Sequence, residues 1–406
     1  MADSSRQFHR SALFSISATG AIAFAYFVLC LLTLSYYHST STRDPSSLFF
    51  DANHAYERRY SSKRVQEAIS FISNASNASP TTRAPNEQPK LCVGIVSVRR
   101  RGDQYVGLTV GSLLDGLTED ERREMLLYVR IAHTNASDHP VYSEKWVETL
   151  PDRVSTYTSD NPDFAQIQEW EEGGWYRNKT IYDFTTLMRD CYDSGAEYVA
   201  MVEDDTIAVK GWFSTAVQAL DAVQQRTAGK DWIYLRLFYT DHLLGWNSEE
   251  WPRYLAWSFI VWAVLTGAMV ASKRRFKSGL RSVPNSAIWI TSCILIPAAI
   301  GLHFMAGRLT MWPLSPGVHE MNKYGCCSQG LVFPREIIPR FLDRTDLTTP
   351  WLADMMVEDI ANAQDWPRFA VVPPLLQHIG STSSKGSEFD NSASRVWSFR
   401  FEGYPS

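Results

Sequence analysis

Three apolar runs constrain this chain more than any motif in it. Ser11 to Tyr37 contains "LFSISATGAIAFAYFVLCLLTLSYY" without a charge, Tyr254 to Ser272 reads "YLAWSFIVWAVLTGAMVAS", and Ala287 to Ala306 reads "AIWITSCILIPAAIGLHFMA". About 20 predominantly apolar residues cross a hydrocarbon core, so each run is long enough to be a membrane span. The first is too long for a signal-peptide core and lacks a clean small-residue cleavage site, which reads as a retained signal anchor. The third carries Pro297 and His303 and is the weakest, as a helix kinked or partly buried against its neighbour would be. The competing reading for the second and third is a helical hairpin inside a soluble core. Against it stands the basic loop between them, with Lys273, Arg274, Arg275, Lys277 and Arg281.

Cytosolic flanks of membrane helices collect Lys and Arg. That loop and Arg6 and Arg10 are therefore expected in the cytosol, which puts 38–252 and 307–406 together on the lumenal side. The sequons at Asn74, Asn77, Asn135 and Asn178 all fall in those lumenal stretches, although Pro80 counts against the second. Cys92, Cys191, Cys326 and Cys327 share the compartment, where disulfides persist. Four cysteines allow three connectivities. A vicinal Cys326–Cys327 bridge would be strained, so separate partners are expected. A net charge of −5 gives no case for nucleic acid as a partner.

Between the apolar runs the pattern changes. Residues 38–89 are rich in Ser, Asn and Pro, with a short helical patch near "YERRYSSKRVQEAISFI", and read as a stem, with the globular part starting near 90. "LCVGIVSVRR", "EMLLYVRIAHT", "EYVAMV" and "DWIYLRLFYT" read as strands, and "YVGLTVGSLLDGL" and "TIYDFTTLMRDCYDSG" carry helical spacing, the latter closed by Gly195. Such alternation predicts an α/β domain with a mainly parallel sheet. "CCSQGLVFPREIIPRFL" resumes strand and helix after the third apolar run, so the hairpin 253–306, with its basic loop 273–286, interrupts one domain made of 90–252 and 307–406.

At the end of one strand stand three consecutive carboxylates, Glu203, Asp204 and Asp205, in "YVAMVEDDTIAVKGWF". A solvated turn would explain an acidic triplet taken alone, since charged side chains stay exposed by default. In α/β sheets, however, ligands bind beyond the carboxyl ends of the strands, and Arg99-Arg100-Arg101 marks another such end. A hard divalent cation takes oxygen ligands, commonly one or two carboxylates completed by substrate phosphates. Such an ion offsets the charge that develops on a departing diphosphate.

The triplet at a strand end resembles the DxD-type motif of GT-A glycosyltransferases. The flank "WYRNKTIYDFTTLMRDCYDSGAEYVAMVEDDTIAVKGWF" and the later "PPLLQHIGSTSSKG" are similar to the type IV branching N-acetylglucosaminyltransferases of N-glycans. A catalytic domain split by a membrane hairpin resembles the Golgi transferases that add N-acetylgalactosamine to the GPI-anchor glycan. The resemblance covers roughly 90–250 and 310–390. It implies a GT-A-like fold, a multi-pass Golgi membrane enzyme, Mn²⁺ or Mg²⁺ as cofactor, a UDP-sugar donor and a GPI-linked glycan or glycoprotein as acceptor.

By the same resemblance Asp205 is the main metal ligand and His378 completes the metal shell. Glu203 and Asp204 would meet ribose or sugar hydroxyls and the metal's waters. Val96, Arg177, Lys179 and Asp183 would contribute to donor binding, and Gln329 and Gly330 would line the acceptor side. Inversion needs a general base beside the acceptor oxygen. "PWLADMMVEDIANAQ" supplies Asp354 as first choice and Glu358 as second, four apart on one predicted helical face. Helix-surface charge is the plain alternative for both. Competing functions are transfer to protein N-glycans, a lumenal glycan-binding or cargo protein without turnover, and a phosphoesterase. The last would need a second cluster of His and Asp ligands that the sequence does not offer.

Overall fold

The β-branched runs become strands of an eight-stranded sheet. A computed structural model describes residues 18–75, 88–275, 284–323, 325, 327–348, 352–380 and 396–405. Within them the strands are β1 (Leu91–Ser97), β2 (Met125–Ile131), β3 (Arg153–Ser155), β4 (Tyr198–Glu203), β5 (Thr206–Ala208), β6 (Leu235–Arg236), β7 (Gly317–Glu320), β8 (Gly330–Pro334), β9 (Phe369–Val372) and β10 (Leu376–His378). The large sheet runs β3-β2-β1-β4-β8-β6-β9-β7, and β10 pairs with β5 in a separate ladder. One half, β3 to β4, is parallel throughout. In the other half β8 is antiparallel to β4 and β6, β6 is parallel to β9, and β7 is antiparallel to β9. The fold is therefore α/β with a sheet parallel on one side and mixed on the other.

Alternating side chains feed two cores, one on each face, as a strand's period of two requires. Leu91, Val93 and Ile95 of β1 join Leu127, Val129 and Ile131 of β2 and Ala200 and Val202 of β4. Cys92, Leu126, Val199 and Met201 point the other way, onto the Tyr176–Asp193 helix through Leu187, Met188 and Cys191. That helix lies close enough that a methyl on Gly94 would meet Leu187 at 3.1 Å and Met201 at 3.2 Å. Cys92 and Cys191 are joined by a disulfide, with Cα atoms 5.5 Å apart. Cys327 is also disulfide-bonded, while Cys326 lies outside the described residues. Cys30 and Cys293 are free.

The chain divides into two units. One runs up to Ala55 and from Leu243 to Pro313; the other runs from Tyr56 to His242 and from Leu314 onward. The second unit begins earlier than the stem reading of 38–89 placed it. The Tyr60–Ala75 helix packs on the Val106–Leu114 helix, where Gly111 lets the Ala68 carbonyl approach. Arg64 of that helix is fully buried and donates to Ala208 O at 2.9 Å and Ser112 O at 3.1 Å, besides pairing with Asp115 at 2.7 Å. Tyr60 and Ala68 join the core, with Val65, Phe71 and Ile72 packed against it, so the helix docks through apolar contacts as well as through Arg64.

The first unit holds helices Ala18–Thr40, Trp251–Arg275 and Asn285–Met305, the last with a wide π turn at Thr291–Leu295 just before Pro297. Among the described residues two helices, the second and third apolar runs, are long and apolar enough to cross a membrane. Ser11 to Ser17 of the first run lie outside the described residues. Trp262 Nε1 donates to Ser292 O at 2.7 Å and Tyr26 O–H to Leu295 O at 2.8 Å, so the wide turn's carbonyls serve the other two helices.

Three of the four sequon asparagines are among the described residues. Asn74 is exposed in the last turn of its helix and Asn135 is exposed as a cap over Ser137 N. Asn178 Nδ2 donates to Leu347 O at 2.6 Å, a bond that a glycan on that nitrogen would disrupt. Asn77 lies outside the described residues.

Candidate active site at the carboxyl ends of β1 and β4

β1 and β4 are parallel neighbours, so their carboxyl ends open on one edge of the sheet, with Val96 paired in register to Glu203. Beyond β4 the chain turns through Asp204 and Asp205 into β5. Thr109 Oγ1, from the Val106–Leu114 helix, stands 2.8 Å from the carbonyl oxygens of both Asp204 and Thr206 and pins the turn. β10 runs antiparallel to β5 with His378 opposite Thr206, and Ile379 N donates to Asp205 O at 2.9 Å. This ladder brings together residues far apart in sequence: His378 Nε2 lies 3.2 Å from Asp205 Oδ2.

Two of the three carboxylates are buried rather than solvated, and Glu203 is half-buried. Asp204 and Asp205 are each 6% exposed. Arg100, just past β1, reaches Asp204 Oδ1 at 2.5 Å and Asp205 Oδ2 at 3.1 Å through Nη2. Ser97 Oγ donates to Asp204 Oδ2 at 2.6 Å, and His139 Nε2 lies 3.1 Å from the same hydroxyl. Glu203 accepts from Ser328 Oγ at 2.5 Å and Gln329 Nε2 at 2.9 Å. Burial pushes the Asp205 carboxyl up, but His378 and then Arg100 outweigh it and hold it at about 2. Burial pulls His378 down, and Asp205 reverses this and raises it. The two shift in opposite senses, as partners in an ion pair must. Burial, then the Asp205 charge, lifts Glu203 to about 7.

Asp205 Oδ1 is buried without a hydrogen-bond partner. An orphaned carboxylate oxygen beside an imidazole is a donor set that suits a Mn²⁺- or Mg²⁺-type ion. Among the described residues no group of three or more His, Cys, Asp or Glu side chains could hold a metal ion. A cation here would therefore depend on water or phosphate oxygens for the rest of its shell, as such ions commonly do.

The remaining sequence expectations divide. Gln329 reaches Glu203 directly, whereas Gly330 faces the core, where a side chain would run into Leu376 and Leu237. Asp204 was expected to face a donor, yet both its oxygens are engaged by Arg100 and Ser97. Asp354 is half-buried in the first turn of the Ala353–Ala363 helix, near enough to Glu203 for its charge to push that carboxyl up. Glu358, on the same face, is buried between Arg236 at 2.9 Å and Arg368 at 3.3 Å and accepts from Tyr234 O–H. That carboxylate holds the core together and is not poised over the site.

Arg177 is exposed. Lys179 Nζ donates to Ala132 O at 2.6 Å and Asp183 Oδ2 at 3.1 Å, making a buried pair just past the end of β2 whose Ala132 in turn donates its N–H to Ser97 O at 2.9 Å. Burial pulls Lys179 down to about 8 and pushes Asp183 well up. Sequence reasoning assigned no role to Arg100, Ser97, Thr109, His139 or Ser328. Arg100 alone had a signal, as part of a basic run at a strand end.

The sequence model of one family, described as GPI-N-acetylgalactosamine transferase PGAP4, matches residues 91–377. The chain belongs to that family. Its matched span opens on β1, contains the acidic triplet and both long apolar helices, and closes one residue before His378. The chain is also similar to alpha-1,3-mannosyl-glycoprotein 4-beta-N-acetylglucosaminyltransferase B of Homo sapiens, 26% identical over 179 residues, 41% of this chain and 32% of the relative. With the A form from Bos taurus it is 24% identical over 195 residues, 43% of this chain and 36% of the relative. The chain thus spans about a third of the length of these relatives.

Proposed function

We propose that this protein is a metal-dependent, inverting glycosyltransferase that moves N-acetylgalactosamine from a UDP-sugar to the mannose core of a GPI anchor. The observation that carries the reading is the meeting of Asp205 and His378 at 3.2 Å, with Asp205 Oδ1 buried and unpartnered beside them. Family membership supports the choice of sugar and acceptor. Asp205 and His378 would hold the cation, which when bound supplies Lewis-acid stabilisation to the departing diphosphate.

The acceptor hydroxyl oxygen attacks the anomeric carbon as the bond to the diphosphate oxygen breaks, and its proton passes to Asp354. Asp354 is preferred over Glu358 because its carboxylate is only half-buried and acts on Glu203, whereas Glu358 is locked between two arginines. The fold then serves as a GT-A-like scaffold. The apolar helices would hold the chain in the Golgi membrane, with three spans and both parts of the sheet unit lumenal.

Membranes carrying the full chain, incubated with Mn²⁺, a panel of UDP-sugars and a GPI-glycan acceptor, test this directly. N-acetylgalactosamine transfer that is lost with EDTA and in Asp205→Asn is expected. No transfer from any donor would overturn the enzyme reading. Because the relatives are named as transferases to alpha-1,3-mannosyl-glycoprotein, an N-glycan acceptor is run in parallel. Transfer only to it would overturn the GPI assignment.

A further inference from the structure

Asp204 is fully taken up by the protein. Its Oδ2 accepts from Ser97 Oγ at 2.6 Å and its Oδ1 from Arg100 Nη2 at 2.5 Å. Behind Ser97 stands His139, 1% exposed, whose Nδ1 accepts from Val141 N at 3.3 Å. The ring proton therefore lies on Nε2, which donates to Ser97 Oγ at 3.1 Å and leaves the serine proton for Asp204. The chain of donors runs one way, from His139 through Ser97 to Asp204. Its product is an immobilised carboxylate aimed at one guanidinium.

That guanidinium is also shared. The same Nη2 of Arg100 lies 3.1 Å from Asp205 Oδ2, the oxygen that His378 approaches at 3.2 Å, and its side chain is 8% exposed. Its plane is further held over the Tyr105 ring, 5.4 Å from the centroid. One motif carboxylate thus presses a fixed positive charge against the other. Buried carboxylates demand a compensating charge. A divalent ion arriving at Asp205 would bring more positive charge to a place where Arg100 already stands.

We infer that Arg100 is an exchangeable internal counter-ion: it neutralises Asp205 until a divalent cation binds, and then turns to the diphosphate oxygens of the donor. The inference rests on the proposed reading of this site as one for a nucleoside-diphosphate sugar. Like charges at this range oppose one another strongly, so Arg100 and the cation compete for Asp205 in the absence of donor. Once a diphosphate is present, a planar guanidinium is well matched to its oxygens, and competition becomes cooperation.

Opposite signs follow for two measurements on one variant. In full-length protein in detergent, Arg100→Gln should bind Mn²⁺ alone about tenfold more tightly, read by electron paramagnetic resonance of the free ion. With saturating Mn²⁺ the same variant should bind UDP about tenfold more weakly, read by calorimetry. Arg100→Lys keeps the charge but not the plane, so its Mn²⁺ affinity should stay near that of the wild type while its UDP affinity falls. A residue that only supports the fold would weaken both. Unchanged or weaker Mn²⁺ binding by Arg100→Gln, where the wild type binds Mn²⁺ and Asp205→Asn does not, overturns the counter-ion role alone. A wild type that binds no Mn²⁺ overturns it together with the proposed function. Should the Gln variant not fold, unchanged UDP affinity in the Lys variant is sufficient to reject the role.

Discussion

Gln329 Nε2 donates to Glu203 Oε2 at 2.9 Å, joining residues 126 apart in sequence. They lie on either side of the 243–313 interruption, so the acidic motif is built from both parts of the sheet unit. Burial and the Asp205 charge lift Glu203 to about 7, while Ser328 pulls it down. A carboxyl raised on folding holds its extra proton in the native state, so its stabilising contribution is present below the unfolded value and lost as pH rises through about 7. Glu203→Gln should therefore gain on the wild type in thermal midpoint between about pH 5 and about pH 8 in EDTA. A constant gap across that range would show that Glu203 does not titrate there.

Gly380 presses on the Asp205 carboxylate. A methyl at this position would stand 3.0 Å from both Cβ and Cγ of Asp205, tighter than ordinary packing permits. Gly380→Ala should lower kcat/KM by about a hundredfold and stability by about 1–3 kcal/mol. Steady-state kinetics and urea unfolding measured together check both, and an active variant would mean that the Asp205 carboxylate need not stay where it is.

Asp354 and Glu358 share a helical face but should respond differently. Asp354→Asn is expected to reduce kcat by about 10²- to 10⁴-fold, as loss of a general base does, with the thermal midpoint unchanged. Glu358→Ala leaves Arg236 and Arg368 buried with their partner gone, which should destabilise by about 3–5 kcal/mol. If the kinetic loss follows Glu358 and Asp354→Asn turns over normally, the base is misassigned.

The Cys92–Cys191 bridge closes a loop of 99 residues between β1 and the helix that covers it. Replacing both cysteines by serine should lower the unfolding free energy by about 2–5 kcal/mol. Asp205 and His378 are held by the β5–β10 ladder instead, so Mn²⁺ affinity at low temperature should be retained. A variant that unfolds like the wild type would show that the helix is secured by its packing alone.

The strands were legible because burial on both faces demands near-continuous apolar runs, and β1, β2 and β4 have them. Asp205 and His378 were legible as motif residues, although only the β5–β10 register puts one beside the other. The Tyr60–Ala75 segment was legible as a helical patch but not as part of the domain, because a buried Arg64 reads in sequence as solvent-facing charge. His139 and Ser97 became visible only once β1 and the segment after β2 were brought together. Glu358 misled because helical spacing tells which residues share a face, not which distant arginines wait for them.

The order of the strands has a consequence for synthesis. β4 ends at Glu203, but the strand that completes its outer edge, β8, begins at Gly330. A ribosome adding about 5–20 residues per second needs on the order of ten seconds to cover that interval. Both apolar helices are made within it. Until it closes, the nascent sheet carries a bare row of amides that any passing strand could pair with. That edge must stay unpaired until β8 arrives, or the acidic turn beyond β4 cannot gain Ser328 and Gln329.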